Sequence, residues 1–263
     1  MSRDILWDYF DGKQSLKQLQ KKYQISIKTI RSKIDEYEIS FPLIPPSETI
    51  IIMDTTYFRR GFGVMVFFDH WGCKYALRYY VKTETVHLYR QGINILKLRG
   101  WEIKGIVCDG RRGLFKAFPG IPMQMCHFHQ QTIIRRYLTQ YPKVEASKEL
   151  RKISLTLSSI DEESWVYVLD EWYKKWKEFL KEKTTNLETG KWHYTHKRLR
   201  SAYRSLKTNT PYLFTYQKYP KLNMPNTTNP LEGRFTDLKN KLRNHPGIKD
   251  NIKIKLTDHY LSK

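Results

Sequence analysis

Apolar residues change their spacing along the chain, and each change marks a part of it. Between residues 3 and 38 they recur at helical intervals. Ile5, Leu6, Tyr9 and Phe10 share one helical face, and Asp11-Gly12-Lys13 is a turn signal. Leu16 and Leu19 fit a short amphipathic helix. Gln24-Ile25-Ser26 is a tight turn, and Ser26 can cap a further helix carrying Ile27, Ile30 and Ile34. That helix exposes Lys28, Thr29, Arg31, Ser32 and Lys33. The pattern suits a helix-turn-helix DNA reader, whose second helix enters a major groove, or equally a plain structural hairpin. Residues 1–40 are therefore expected to form a small all-α region. Residues 41–48, with Pro42, Pro45 and Pro46, read as an extended linker.

From Thr49 the runs become β-branched and aromatic. Residues 49–58, 63–71 and 74–82 read as three strands of a meander. Residues 85–100 have helical spacing ended by Gly100. A strand over 101–110, a short helix over 114–118 and a strand over 121–129 follow. The order β-β-β-α-β-α-β predicts an α/β fold with a mixed sheet and parallel central strands. RNase H-like nucleotidyl-transfer folds share that order, a likeness of fold and not of function. Residues 49–130 form the first part of this expected core. Residues 131–218 read as a helical insertion, in which Trp165, Val168, Leu169, Trp172, Trp176 and Phe179 form a packing stripe. Residues 218–230 read as a loop and 231–247 as a closing helix, so 219–263 completes the core.

Charge sharpens this picture. The 263 residues hold 47 Lys and Arg against 26 Asp and Glu, a net +21. Residues 180–263 carry +12 of it and residues 1–46 only +2. The stretch His196–Lys207 is basic and interleaves Tyr203. Such charge is either a solvated surface or a grip on a polyanion, nucleic acid first. Three unevenly spaced cysteines, Cys73, Cys108 and Cys126, make no disulfide framework and suit a reducing compartment. Cys73 and Cys108 fall in predicted strands and read as core. No run of about 18 apolar residues and no signal-like N-terminus is present. The expectation is a cytoplasmic protein with no membrane association.

Candidate chemistry rests on misplaced acids. Asp54 interrupts the apolar run Ile50–Met53, and Asp109 ends the run Ile106–Cys108. A carboxylate in such a strand costs desolvation unless it is paired or metal-bound. If their strands are neighbours, the two acids stand side by side and repel. A divalent cation such as Mg²⁺ would relieve this. Strand-end aspartates also bond to turn amides, which is the plain alternative. Glu232, in the first turn of the closing helix, supplies a possible third acid or merely complements the helix dipole. Cys126 and His129 invite a zinc reading. A zinc site needs four ligands, though, and only His193 and His196 offer partners. Otherwise Cys126 packs as a small hydrophobe, and His127 or His129 lies beside the carboxylates. Arg111 and Arg112 either contact DNA phosphate beside Asp109 or are a solvated turn.

In this order, four blocks carry a resemblance: IIMDTTYF with Asp54, GIVCDGRRGL with Asp109, CHFH with Cys126 and His129, and TTNPLEGRFTDLKNKLRNHPG with Glu232. Over roughly residues 47–250 the chain resembles the mutator-type bacterial insertion-sequence transposases of the DDE class. The resemblance implies that Asp54, Asp109 and Glu232 are catalytic ligands of two Mg²⁺ ions, with Mn²⁺ able to substitute. It implies supporting roles for Cys126, His129, Asn229 and His245, and DNA contacts from Lys239 and Arg243. It further implies cleavage and strand transfer at inverted-repeat ends, target DNA as second partner, a dimer or larger synaptic complex, and a place on the bacterial nucleoid. Members commonly have a longer N-terminal DNA-binding part, some with a Cys-rich zinc element. This chain has no Cys before Cys73, so it reads as a short variant or a shortened copy. A non-catalytic DNA-binding regulator and an RNase H-like metal nuclease are the competing readings.

Overall fold

Serine hydroxyls cap the second and third helices of the chain. The computed structural model describes residues 2–39, 41 and 43–263; Met1, Ser40 and the linker's Pro42 lie outside the described residues. Helices α1 (Ser2–Phe10), α2 (Leu16–Tyr23) and α3 (Ile27–Glu36) follow one another closely. Ser15 and Gln18 form a capping box on α2. Ser26 Oγ accepts the Thr29 amide at 3.0 Å and starts α3 as expected. Ile30 and Ile34 are buried with Ile5, Leu6, Phe10 and Leu19. Their core does not close on itself. It includes Leu238, Leu242 and Leu256 from the C-terminal helices, so the three helices share a core with the chain's other end.

The strands are β1 (Glu48–Arg59), β2 (Phe62–Asp69), β3 (Lys74–Val81), β4 (Glu102–Cys108) and β5 (Met123–Met125), with helix α4 (Val86–Leu98) between β3 and β4. The sheet order is β3-β2-β1-β4-β5. The β1–β2 and β2–β3 pairs are antiparallel; β1–β4 and β4–β5 are parallel. The mixed α/β architecture is thus as expected. Side chains alternate across it. Ile51, Met53, Met65 and Phe67 face Tyr89, Ile93 and Leu96 of α4. Ile50, Ile52, Val66 and Phe68 face the opposite layer, with Leu231 and Phe235 of a later helix. Gly92 lets α4 approach closely, because a Cβ there would lie 2.0 Å from the Phe67 ring.

The insertion comprises α5 (His127–Leu138), α6 (Glu145–Leu155), α7 (Glu162–Lys181), β6 (Lys183–Thr185), β7 (Trp192–Tyr194), α8 (Lys197–Leu213) and α9 (Thr215–Lys218). Trp165, Leu169 and Trp172 fill its centre. Gln124 of β5 anchors it to the sheet: its Nε2 donates to Leu213 O at 2.8 Å, and its Oε1 accepts the Tyr216 amide at 3.0 Å. Helices α10 (Asn229–Arg243) and α11 (Asp250–Leu261) end the chain. Among the described residues no helix is long and apolar enough to cross a membrane.

The structure corrects several local expectations. Residues 114–118 form turns, not a helix; five residues before Pro119-Gly120 cannot repay nucleation, and Leu114 and Phe118 serve as buried anchors. The strand expected over 121–129 stops at Met125. Cys126 starts α5 instead, its carbonyl accepting the Gln130 amide at 3.0 Å, so His127 and His129 are helical. The insertion is interrupted by the β6–β7 hairpin. The closing helix ends at Arg243, and α11 follows it. Cys73 is exposed, at φ +53° in the turn before β3, and is not core.

Candidate active site

Alternation places the first acid. Asp54 has the parity of Ile50 and Ile52, so it points to the layer occupied by α10. It lies just beyond the β1–β4 pairing, which runs to Ile52↔Val107. On α10, Leu231, Phe235, Leu238 and Leu242 are buried, and this stripe turns Glu232, Lys239 and Arg243 to another side. Glu232 stands in the first turn. Buried Thr228 precedes it, and the Thr228 amide and hydroxyl both donate to Cys126 Sγ, at 3.2 and 3.4 Å. Cys126 thus ties the start of α10 to the start of α5, three residues from His129.

Three side chains converge there. One ligand atom each from Asp54, His129 and Glu232 lies within 4.8 Å of the others. His129 Nε2 is 3.6 Å from Glu232 Oε1. Asp109 departs from the expected trio. It follows β4, which pairs with β1, but stands outside this group, and its Oδ1 accepts the Arg111 amide at 3.1 Å. It is still close enough to add to the repulsion on Asp54.

The electrostatics are those of a carboxylate cluster short of positive charge. Burial, first, and then Asp109 and Glu232 push Asp54 up to about 7, against the opposing pull of His129 and the Thr55 amide. Burial also raises Glu232, with His129 opposing. Burial works to lower His129, but Cys126, Asp54 and Glu232 together raise it to about 9. At neutral pH, then, an imidazolium sits between two acids. The Cys126 thiol is pushed up by burial, yet His129 and Thr228 outweigh this and leave it below its ordinary value.

A fourth acid borders the site. Glu84, between β3 and α4, accepts the Tyr89 hydroxyl at 2.7 Å and pairs with Arg111 Nη1 at 3.1 Å. The Tyr89 hydroxyl also lies 3.0 Å from Thr55 Oγ1, next to Asp54. Arg111 donates in addition to the Glu84 carbonyl. Arg111 is therefore a brace on the Asp109 turn and not a free cation for phosphate, while Arg112 is exposed. Sequence reading missed Glu84 and Tyr89. Glu84 looks like an ordinary loop residue, and the one signal was a tyrosine hydroxyl on the apolar face of α4, which needs a partner when buried.

The other candidates scatter. Lys239 and Arg243 line a cleft of about 260 Å³ with Tyr57 and Lys253. Burial and Arg243 lower Lys239, and Asp54 opposes them, so this cleft adjoins the acids. Asn229 is exposed at the start of α10. His245 is buried and stacks on Tyr9 with ring centroids 3.8 Å apart, so it holds α1 and does not face solvent. Lys28, Thr29 and Arg31 are exposed on α3, and Lys33 is half-buried. His127 points away, its Nε2 2.6 Å from the Leu213 carbonyl oxygen. The zinc alternative has no geometry behind it: His193 lies on β7, and His196 contacts Glu182 at 2.9 Å and stacks on Phe179.

In comparison with known proteins, no family model and no curated sequence matches the chain.

Proposed function

We propose that this protein is a metal-dependent DNA strand-transfer enzyme, a DDE transposase built on an RNase H-like core. One observation carries the reading: Asp54, Glu232 and His129, from elements far apart in sequence, meet within 4.8 Å beside Asp109. The strand order β3-β2-β1-β4-β5 supports the RNase H-like assignment, and the Ser26-capped α2–α3 pair supports a helix-turn-helix.

The donor set fits a divalent cation. Two carboxylates and an imidazole surround one point, and the upward displacement of Asp54 marks charge that a cation would satisfy. Asp54 and Glu232 would hold Mg²⁺, with His129 as adjacent donor and Asp109 bordering the group; an imidazole in the set suits Mn²⁺ as well. A divalent cation bound there would supply activation of an attacking water or 3′-hydroxyl and charge neutralisation at the leaving oxygen. The chain's own groups do the rest. Lys239, Arg243 and Lys253 receive the phosphodiester backbone along α10 and α11. Cys126 and Thr228 hold Glu232 at the correct height. Glu84, Tyr89 and Arg111 fix the Asp109 turn. The imidazolium of His129 restrains the acids when no cation is bound.

The test is a cleavage and joining assay with Mg²⁺ or Mn²⁺, on duplexes carrying the DNA ends that flank the coding sequence. Joined product is expected, and Asp109→Asn should abolish it. Cleavage without joining would mean a nuclease, and binding without cleavage a regulator. Joining unaffected by Asp109→Asn would remove that residue from the site.

A further inference from the structure

The basic stretch 196–207 is not used by the site above, and the structure divides it. Arg200, Tyr203, Arg204, Lys207 and Thr208 recur at helical spacing on α8. With Tyr173 and Leu180 of α7 they line a groove of about 270 Å³. Charge is treated differently on its two walls. On α7, Lys174, Lys175 and Lys181 pair with Glu171, Glu149 and Glu178. On α8, Arg204 and Lys207 are exposed and have no carboxylate partner among the described residues. Arg200 has none either; it donates to the Leu180 carbonyl at 2.7 Å and stacks over Tyr194 at 3.6 Å. Asp170 is the acid that acts on Tyr203, and it leaves the groove with an excess of cations.

The groove is also aromatic. Tyr173 stacks on Tyr203 with centroids 4.9 Å apart, and Lys207 lies over the Tyr203 ring. Trp192 is 55% exposed on the adjoining hairpin, with Lys183 over its face at 4.0 Å. From Arg200 to Lys207 the helix rises roughly 10 Å, so the three cations are spread along the groove and not gathered at one point.

We propose that the α7–α8 groove is a second DNA-backbone site, gripping phosphodiester through Arg200, Arg204 and Lys207. This rests on the reading of the protein as a DNA enzyme. Its effect is to hold a duplex by the insertion while the acids work on another part of it.

The experiment measures binding of the full chain to a short random-sequence duplex without metal, across a salt series. Arg204→Ala with Lys207→Ala should lower the slope of log affinity against log salt by about two, since each phosphate neutralised by a cation contributes ~0.9. Affinity near ~0.1 M salt should fall on the order of tenfold or more. Lys174→Ala with Lys181→Ala removes equal charge from the paired lysines of α7 and should leave the slope unchanged. Mn²⁺ binding should be retained in both variants. If wild type binds DNA and the two double variants behave alike, the groove assignment is overturned while the enzymatic reading stands. If wild type binds no DNA at all, both fall.

Discussion

Helix α10 carries an aspartate cluster at each end, and the two are built on opposite terms. At its start, Asp54 meets Glu232 and His129 and is pushed up to about 7 by burial and by its acid neighbours. At its far end, Asp11 of the N-terminal turn receives Lys241 at 2.9 Å, His259 at 2.8 Å and Lys263 at 2.5 Å. Burial alone would raise Asp11 too, but those three hydrogen bonds outweigh it and hold it at about 2. One cluster has more acids than cations and the other more cations than acids. The first is a donor group that could hold a metal ion; the second is a joint that fastens α1 and α2 to the C-terminal helices. Buried aspartate alone distinguishes neither, and the partners decide.

The largest effect separates the two by chemistry. Asp54→Asn or Glu232→Gln should reduce metal-dependent DNA cleavage by about a hundredfold or more, the scale on which the removal of one charge-stabilising group acts. Asp11→Asn should leave the cleavage rate unchanged. A rate loss in Asp11→Asn at a temperature where the variant is fully folded would erase the distinction.

Next comes stability, with opposite signs. Asp11 has a folded value of about 2 against an ordinary 3.8, so its contribution is present above about pH 4 and lost as pH falls toward 2. Asp11→Asn should cost about 2 kcal/mol near neutrality and little in acid, measured by denaturant titration. Asp54 is raised, so its contribution is full below about pH 4 and is lost as pH rises through 7. Asp54→Asn should therefore stabilise the metal-free protein by on the order of 4 kcal/mol in mildly alkaline buffer and by little in acid. Mn²⁺ at a hundredfold over its Kd should stabilise wild type by about 2.7 kcal/mol and Asp54→Asn far less. Thermal melts at two pH values, with and without metal, read all of these.

Much of this was legible in advance, for definable reasons. Alternation and turn residues gave β1 to β4, and the apolar run ending at Asp54 flagged a carboxylate whose burial needed a reason. The pairing of β1 with β4 put Asp109 nearby. What escaped was whatever depends on partners distant in sequence. Nothing in residues 126–129 says that a strand ends and a helix begins, because the switch is made by Thr228 and Asn226 reaching across from another segment. His129 consequently enters the cluster in the place expected for Asp109. Arg111 looked free in the sequence, and it is Glu84 that holds it. The docking of α1–α3 on α10 and α11 was hidden behind a proline-rich segment that reads as a spacer. It depends on Asp11 and Tyr9, which are ordinary residues in their own neighbourhood.

The smallest effect concerns what holds the Glu232 end of α10 in register. The Cys126 sulfur accepts both the amide and the hydroxyl of Thr228, four residues before Glu232, and all three groups are buried or half-buried. If the sulfur acts as an acceptor, serine should replace it with a loss of no more than about 1 kcal/mol, since both donors keep a partner. Valine matches the space but offers no acceptor, and it leaves a buried amide unsatisfied at about 1–3 kcal/mol. Cys126→Val should also weaken Mn²⁺ binding, because Glu232 rides on the turn that Thr228 begins, while Cys126→Ser should bind nearly as wild type. Calorimetric Mn²⁺ titration of the two variants reads the difference. Equal weakening in both would mean that the sulfur fills space and that the register of Glu232 is set by the apolar face of α10 alone. Then the two ends of the helix would differ in charge but not in how they are held.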